Sequence, residues 1–89
     1  MEIIGNPRYL IYKDGTIWSG HVYRNINHIY NRNGYLWVGL SKNGKRERHD
    51  IHQLLAVHYI PNPNKYEYVR HINGIITDNR LENLRWSID

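Results

Sequence analysis

Six residues in one short stretch, Tyr35, Trp37, Lys42, Lys45, Arg46 and Arg48, carry the clearest hint of chemistry. Lys and Arg at this density neutralise phosphates, while aromatic and long polar side chains stack on bases or read their edges, so double-stranded DNA is one partner they fit. Tyr, Trp and Arg also dominate protein–protein hot spots, and a solvated charged hairpin would need no partner at all. His49 and His52 stand three positions apart, a spacing at which two imidazoles can share a metal on a helix, but no third ligand follows nearby and no metal is expected there. The acids Asp14, Glu47 and Asp78 are scattered over turns and a strand, so no carboxylate pair for general acid–base work is evident. The chain has no Cys, which removes a disulfide framework, a Cys-based zinc site and a thiol nucleophile. A glycine-rich phosphate loop, a Ser-centred nucleophile elbow and a long basic amphipathic helix are also missing from the sequence.

The background to these residues is a chain of 89 residues with 12 Lys and Arg against 8 Asp and Glu, a formal charge of +4 that favours an anionic partner. That length makes one domain and excludes a multidomain enzyme. With 40% hydrophobic and 22% charged residues the composition is that of an ordinary globular protein. Eight Tyr and three Trp without any Phe give most of the aromatic surface a polar tip that must find water or a partner. No secretory signal opens the chain, and no run approaches the roughly 20 apolar residues of a membrane span, so a soluble, cytoplasmic protein is expected.

The expected elements follow from turn signals and periodicity. Asp14-Gly15 separates the β-prone runs Tyr9 to Lys13 and Thr16 to Ser19, which predicts a hairpin. Residues 20 to 34 are polar and Asn-rich, with one strand expected around His28 to Tyr30. From Tyr35 to Leu40 the pattern alternates, with Leu36, Val38 and Leu40 facing a core and Tyr35 and Trp37 facing away. Asn43-Gly44 turns the chain into a charged strand, Lys45 to His49. Ile51, Leu54, Leu55 and His58 then keep helical spacing behind Asp50 as cap, and Pro61 and Pro63 end that helix. Tyr66 to Ile72 and Leu84 to Ser87 predict two closing strands. The fold class is therefore α+β: a small antiparallel sheet from the first fifty residues, a helix over 50–60 and a C-terminal ββ unit over 66–89, all in one domain, 1–89.

Several segments, in the same order along the chain, carry a resemblance to a known family. Val69-Arg70-His71-Ile72-Asn73-Gly74, followed by Asp78-Asn79-Arg80-Leu81-Glu82-Asn83-Leu84-Arg85-Trp86, resembles the HNH motif of phage- and intron-encoded homing endonucleases. Ile51 to Pro63 is similar to the helix and Pro-rich loop before that motif, and the Ile11 to Ser19 hairpin and Asn33 to Leu36 are similar to the family's amino-terminal strands. The resemblance implies a ββα-metal unit in which His71 is the general base on a water and Asn83 orients the loop that bears it. His suits the first role because its pKa near 6.5 lets it accept a proton near neutrality.

The sequence departs from the family at the metal. Arg70 stands immediately before His71, where the family usually has an Asp or Asn supplying oxygen to a divalent cation. A guanidinium has no lone pair to give, and it would be repelled by a divalent ion about 4 Å away by several kcal/mol even at an effective dielectric of about 20. The family's third motif residue lies roughly nine positions beyond the middle Asn, whereas Asp89 is six beyond Asn83. Asn73 replaces a common Asp of the turn. The resulting expectation is an HNH-like protein that binds double-stranded DNA through Tyr35, Trp37, Lys42, Lys45, Arg46, Arg48 and Arg70, with cleavage lost or weak and no cofactor. Magnesium or manganese would be required only if nuclease activity survives. Two alternatives remain open: a phage protein that inhibits a host nuclease or defence complex, and an active metal-dependent endonuclease. The cytoplasm expected is that of a bacterial host if a phage encodes the protein.

Overall fold

The computed structural model describes residues 1–89. Nine strands and one helix follow in the order β1 (Glu2–Ile3), β2 (Asn6–Ile11), β3 (Ile17–Ser19), β4 (Arg24–Ile26), β5 (Ile29–Tyr30), β6 (Leu36–Lys42), β7 (Lys45–Asp50), α1 (Ile51–Tyr59), β8 (Tyr68–His71) and β9 (Leu84–Ser87), with a 3₁₀ turn at Leu81–Asn83. Pairing is antiparallel throughout, as short hairpin connections require. The α+β class is as expected, but the first fifty residues make two sheets, β1-β2-β3-β4 and β5-β6-β7, where one was expected. The difference arises in the polar stretch 20–34. Arg24–Ile26, expected as loop, pairs with β3, because Ile26 packs on the core and pins an otherwise polar strand.

Turn chemistry sets the hairpin registers. Between β2 and β3, Gly15 alone takes a left-handed φ of 89°, Asp14 accepts the Thr16 N–H at 2.9 Å, and Tyr12 and Thr16 close the loop. Between β6 and β7 both Asn43 (φ 52°) and Gly44 (φ 77°) are left-handed, the pattern of the two-residue turn that matches strand twist. Lys42 therefore pairs with Lys45 and the ladder runs unbroken to Trp37 opposite Asp50.

The core gathers Ile3, Tyr9, Ile11, Ile17, Val38, Leu40, Ile51, Leu54, Leu55 and Leu84, so every sheet and the helix contribute. Helix α1 buries Ile51, His52, Leu54, Leu55 and Ala56, a wider stripe than its aliphatic spacing alone indicates. Asp50 occupies the N-cap position with extended backbone, yet its side chain makes no capping bond; it turns instead toward Arg48 at 3.6 Å. At the other end Ile60 is extended (φ −118°, ψ 118°), as the residue before Pro61 must be, and the helix stops there. The hairpin β8–β9 is tied to this end by the Trp86 indole N–H, which donates to the Ile60 carbonyl at 3.0 Å. No helix is long and apolar enough to cross a membrane.

Candidate functional site

His71 closes β8, and the loop after it is held by amide bonds. Asn83, 5% exposed, accepts the Asn73 backbone N–H at 3.0 Å and donates to Asn73 Oδ1 at 2.9 Å and to the Asp78 carbonyl at 2.8 Å. Its own carbonyl accepts the Ile72 N–H at 2.8 Å. A buried amide with its donors this fully used locks the chain on both sides of the turn, because any rearrangement strands a desolvated polar group. Asn73 extends the network by donating to Asp78 Oδ2 at 2.8 Å, and Arg80 grips the same carboxylate with Nε and Nη2, both at 2.8 Å. That bidentate guanidinium holds the Asp78 carboxyl far below the ordinary range and raises Arg80 further above its own.

The His71 ring lies in an aromatic group that the linear sequence does not reveal. Its centroid is 5.0 Å from that of His52 on α1 and 6.1 Å from that of Tyr35, and Tyr35 is 5.3 Å from His52. His71 Nε2 meets Asn79 Oδ1 at 2.6 Å. This contact fixes the His71 ring against the Asn79 amide, whose Nδ2 is buried without a partner of its own. Burial, and secondarily the neighbouring His71, lowers the pKa of His52, whose Nδ1 is buried without a partner; Asp50 opposes this to a lesser degree. His52 and Asn79 were not identified as site residues from sequence. The Asn79 signal was inside the motif itself, whereas nothing in the order of residues announces that α1 turns His52 onto β8.

The predicted nucleic-acid residues separate into groups. In the β6–β7 register Trp37, Gly39 and Ser41 stand opposite Asp50, Arg48 and Arg46, and these pairs share one face. Arg48 places its guanidinium 5.1 Å from the Trp37 ring centre. Arg46 lies over Gly39 so closely that a Cβ there would meet it at 2.9 Å. The same face borders a groove of about 540 Å³ lined both by Ser19, Arg24, Ser41 and Arg46 and by the apolar Val22 and Ile26. Lys42 and Lys45 pair with each other on the opposite face, beyond the buried Leu40, at the exposed hairpin tip. Tyr35 precedes β6 and belongs to the histidine group instead. Arg70 is on β8 with its side chain 62% exposed and one weak ion pair, 3.8 Å to Asp89.

The side chains around His71 supply no evident ligand set for a divalent cation. Arg70 occupies the position beside His71 and offers no lone pair. Asp78 is engaged by Arg80 and Asn73, and nowhere do three His, Asp or Glu side chains converge closely enough to hold an ion. His49 lies on β7 with its Nε2 3.6 Å from Glu47, whereas His52 is buried on α1 against Tyr35.

Comparison with known proteins gives a consistent picture. No protein-family model matches the sequence. An HNH endonuclease of Acanthamoeba polyphaga mimivirus is 40% identical over 86 residues, which are 97% of this chain and 26% of that protein. The DNA endonuclease I-HmuI of Bacillus phage SP01 is 30% identical over 78 residues, 88% of this chain and 45% of that one. A solved structure of the HNH homing endonuclease I-HmuI, described as binding and cleaving DNA, superposes with a TM-score of 0.90 at 28% identity over 98% of this chain and 51% of its own. The chain thus spans about half or less of the length of the relatives it matches.

Proposed function

From the premise that this chain belongs to the HNH homing-endonuclease family, over a segment that is part of the length of its relatives, we propose that it binds double-stranded DNA with cleavage lost or weak. The observation that carries the binding is the β6–β7 ribbon. It presents Arg46 and Arg48 beside Trp37 on one face and the Lys42–Lys45 pair at its tip, against two acids, Glu47 and the Asp50 that lies 3.6 Å from Arg48. A two-stranded ribbon of this kind fits a major groove. Lys42 opposite Lys45 is a like-charge pair that costs stability in the free protein, and phosphates would relieve it. I-HmuI, as a DNA endonuclease, is consistent with this partner.

Weak cleavage rests on the position before His71. A guanidinium there supplies no ligand to a cation. The segment after His71 is a loop held by Asn83, flanked by the imidazole and by two arginines of the β8–β9 hairpin.

Titration of duplex binding with salt tests the reading. The affinity should fall steeply, with a log–log slope near −0.9 for each phosphate contacted. Replacing Lys45, Arg46 and Arg48 together by Ala should flatten that slope by about 2 to 3 and weaken binding; unchanged affinity would sink the proposal. A supercoiled-plasmid nicking assay with magnesium or manganese addresses the second half. Little or no nicking, equal in His71→Ala, is expected, and efficient nicking abolished by His71→Ala would show that cleavage survives.

A further inference from the structure

The β8–β9 hairpin carries a charge arrangement that folding does not explain. In its ladder Arg70 stands directly opposite Arg85. Like charges so placed are destabilising, since opposed Cβ atoms in an antiparallel pair are only about 4.5–5.5 Å apart. Neighbouring pairs alternate in direction: Val69 with Trp86 and His71 with Leu84 are half-buried or buried, whereas Arg70 and Arg85 are both exposed on the other face. Arg80 shows what neutralisation looks like nearby, with Asp78 at 2.8 Å and Glu82 at 3.4 Å. Arg85 has no ion pair, and the one acid near Arg70, Asp89, is itself 82% exposed and 3.8 Å away.

We propose that Arg70 and Arg85 together form a site for phosphate oxygens on the outward face of β8–β9, and that this site needs no divalent cation. Two planar guanidinium forks fixed on adjacent strands reach one tetrahedral anion with parallel N–H···O bonds, a geometry Lys does not reproduce. The anion turns the cross-strand repulsion into two attractions, so the ladder supplies the spacing and the ligand completes it. Arg70 directly precedes His71 in the chain, but the alternation of the strand turns the two side chains to opposite faces, so the site lies on the outward side of the hairpin and not on the side of the imidazole. The nucleic-acid backbone as source of the phosphate rests on the DNA-binding reading above; the site itself does not.

The test uses the whole 89-residue protein and two probes. A labelled mixed-sequence duplex is titrated with EDTA present and with magnesium present, and inorganic phosphate is titrated while the arginine Nε–H resonances are followed by NMR. Binding in EDTA should be at least as tight as in magnesium. Arg70→Ala and Arg85→Ala should each weaken duplex binding about 3- to 10-fold and reduce the salt slope by about 1. Arg70→Lys should keep the slope and lose part of the affinity. Phosphate should shift the Arg70 and Arg85 resonances together and saturably. Both side chains are exposed, so the variants should keep the wild-type circular dichroism. Duplex binding that is identical in the Ala variants, with no saturable phosphate shift, overturns the site and leaves the DNA reading standing. Phosphate shifts without any duplex binding uphold the site and overturn the DNA reading. A requirement for magnesium overturns the cation-free contact.

Discussion

His52 is buried between Tyr35 and His71, and an imidazole so placed takes up a proton poorly. Its pKa is lower in the folded protein than the ordinary value near 6.5, so the unfolded chain binds more protons in the window just below that value. Unfolding free energy should therefore be full above about pH 6.5 and fall as the pH drops through the folded pKa of His52. Asp14 and Asp78, whose carboxyls are depressed by hydrogen bonds, act in the same direction but only below their ordinary value of 3.8, so the two effects occupy separate windows. Chemical denaturation between pH 7.5 and 5 should show the decline in the wild type and a flatter profile in His52→Phe, which keeps an aromatic ring without the titration. Equal profiles would remove His52 from the acid response. The motif made His71, Asn83 and the anomalous Arg70 visible in the sequence. The environment of His71 was not visible, because Tyr35 and His52 come from segments 36 and 19 positions earlier and meet it only after the sheets close on α1.

At the scale of elements, turns were the most legible feature, because their residues act locally. Asp14-Gly15, Asn43-Gly44 and Asn73-Gly74 each marked a reversal that the fold contains, and each Gly has positive φ. Strands whose burial depends on distant partners were not legible: β4 reads as polar loop until β3 pairs with it. The same limit applies to the Asp50 cap, where a competing Arg48 at 3.6 Å draws the carboxylate away from the helix. Gly44 gives a clean measure of turn strain, since a Cβ there meets nothing within 4 Å and its φ is 77°. Gly44→Ala should then cost only the left-handed penalty, about 1 kcal/mol, and lower the midpoint of thermal unfolding by about 4–8 °C. The β6–β7 tip presents Lys42 and Lys45, so this variant also asks whether DNA affinity depends on the tip's geometry. A thermal midpoint that does not move would mean that the turn tolerates an Ala at positive φ by changing type.

On the scale of the whole molecule, the three sheets share one core rather than three. Leu55 is fully buried in a cluster that also holds Ile3 and Ile17 from the first sheet, Val38 and Leu40 from the second, and Leu84 from β9. Such sharing predicts a single cooperative transition, and the placement of tryptophans makes it testable: Trp18 lies in the first sheet, Trp37 in the second and Trp86 in the terminal hairpin. Proteins retaining one Trp each, with Phe at the other two positions, should unfold with fluorescence midpoints that match the circular dichroism midpoint of the same protein. Leu55→Ala should lower unfolding free energy by about 2–5 kcal/mol in all three, a large share of the roughly 5–15 kcal/mol a domain possesses. The site hairpin is the sensitive case. It joins the core through Leu84, the half-buried Val69, the His71–His52 ring contact and one indole bond to Ile60, and the phosphate face of Arg70 and Arg85 opposes its own folding. A Trp86 midpoint below that of Trp18 and Trp37 would mean that β8–β9 melts first. The loop that presents His71 would then be ordered by its ligand rather than by the core.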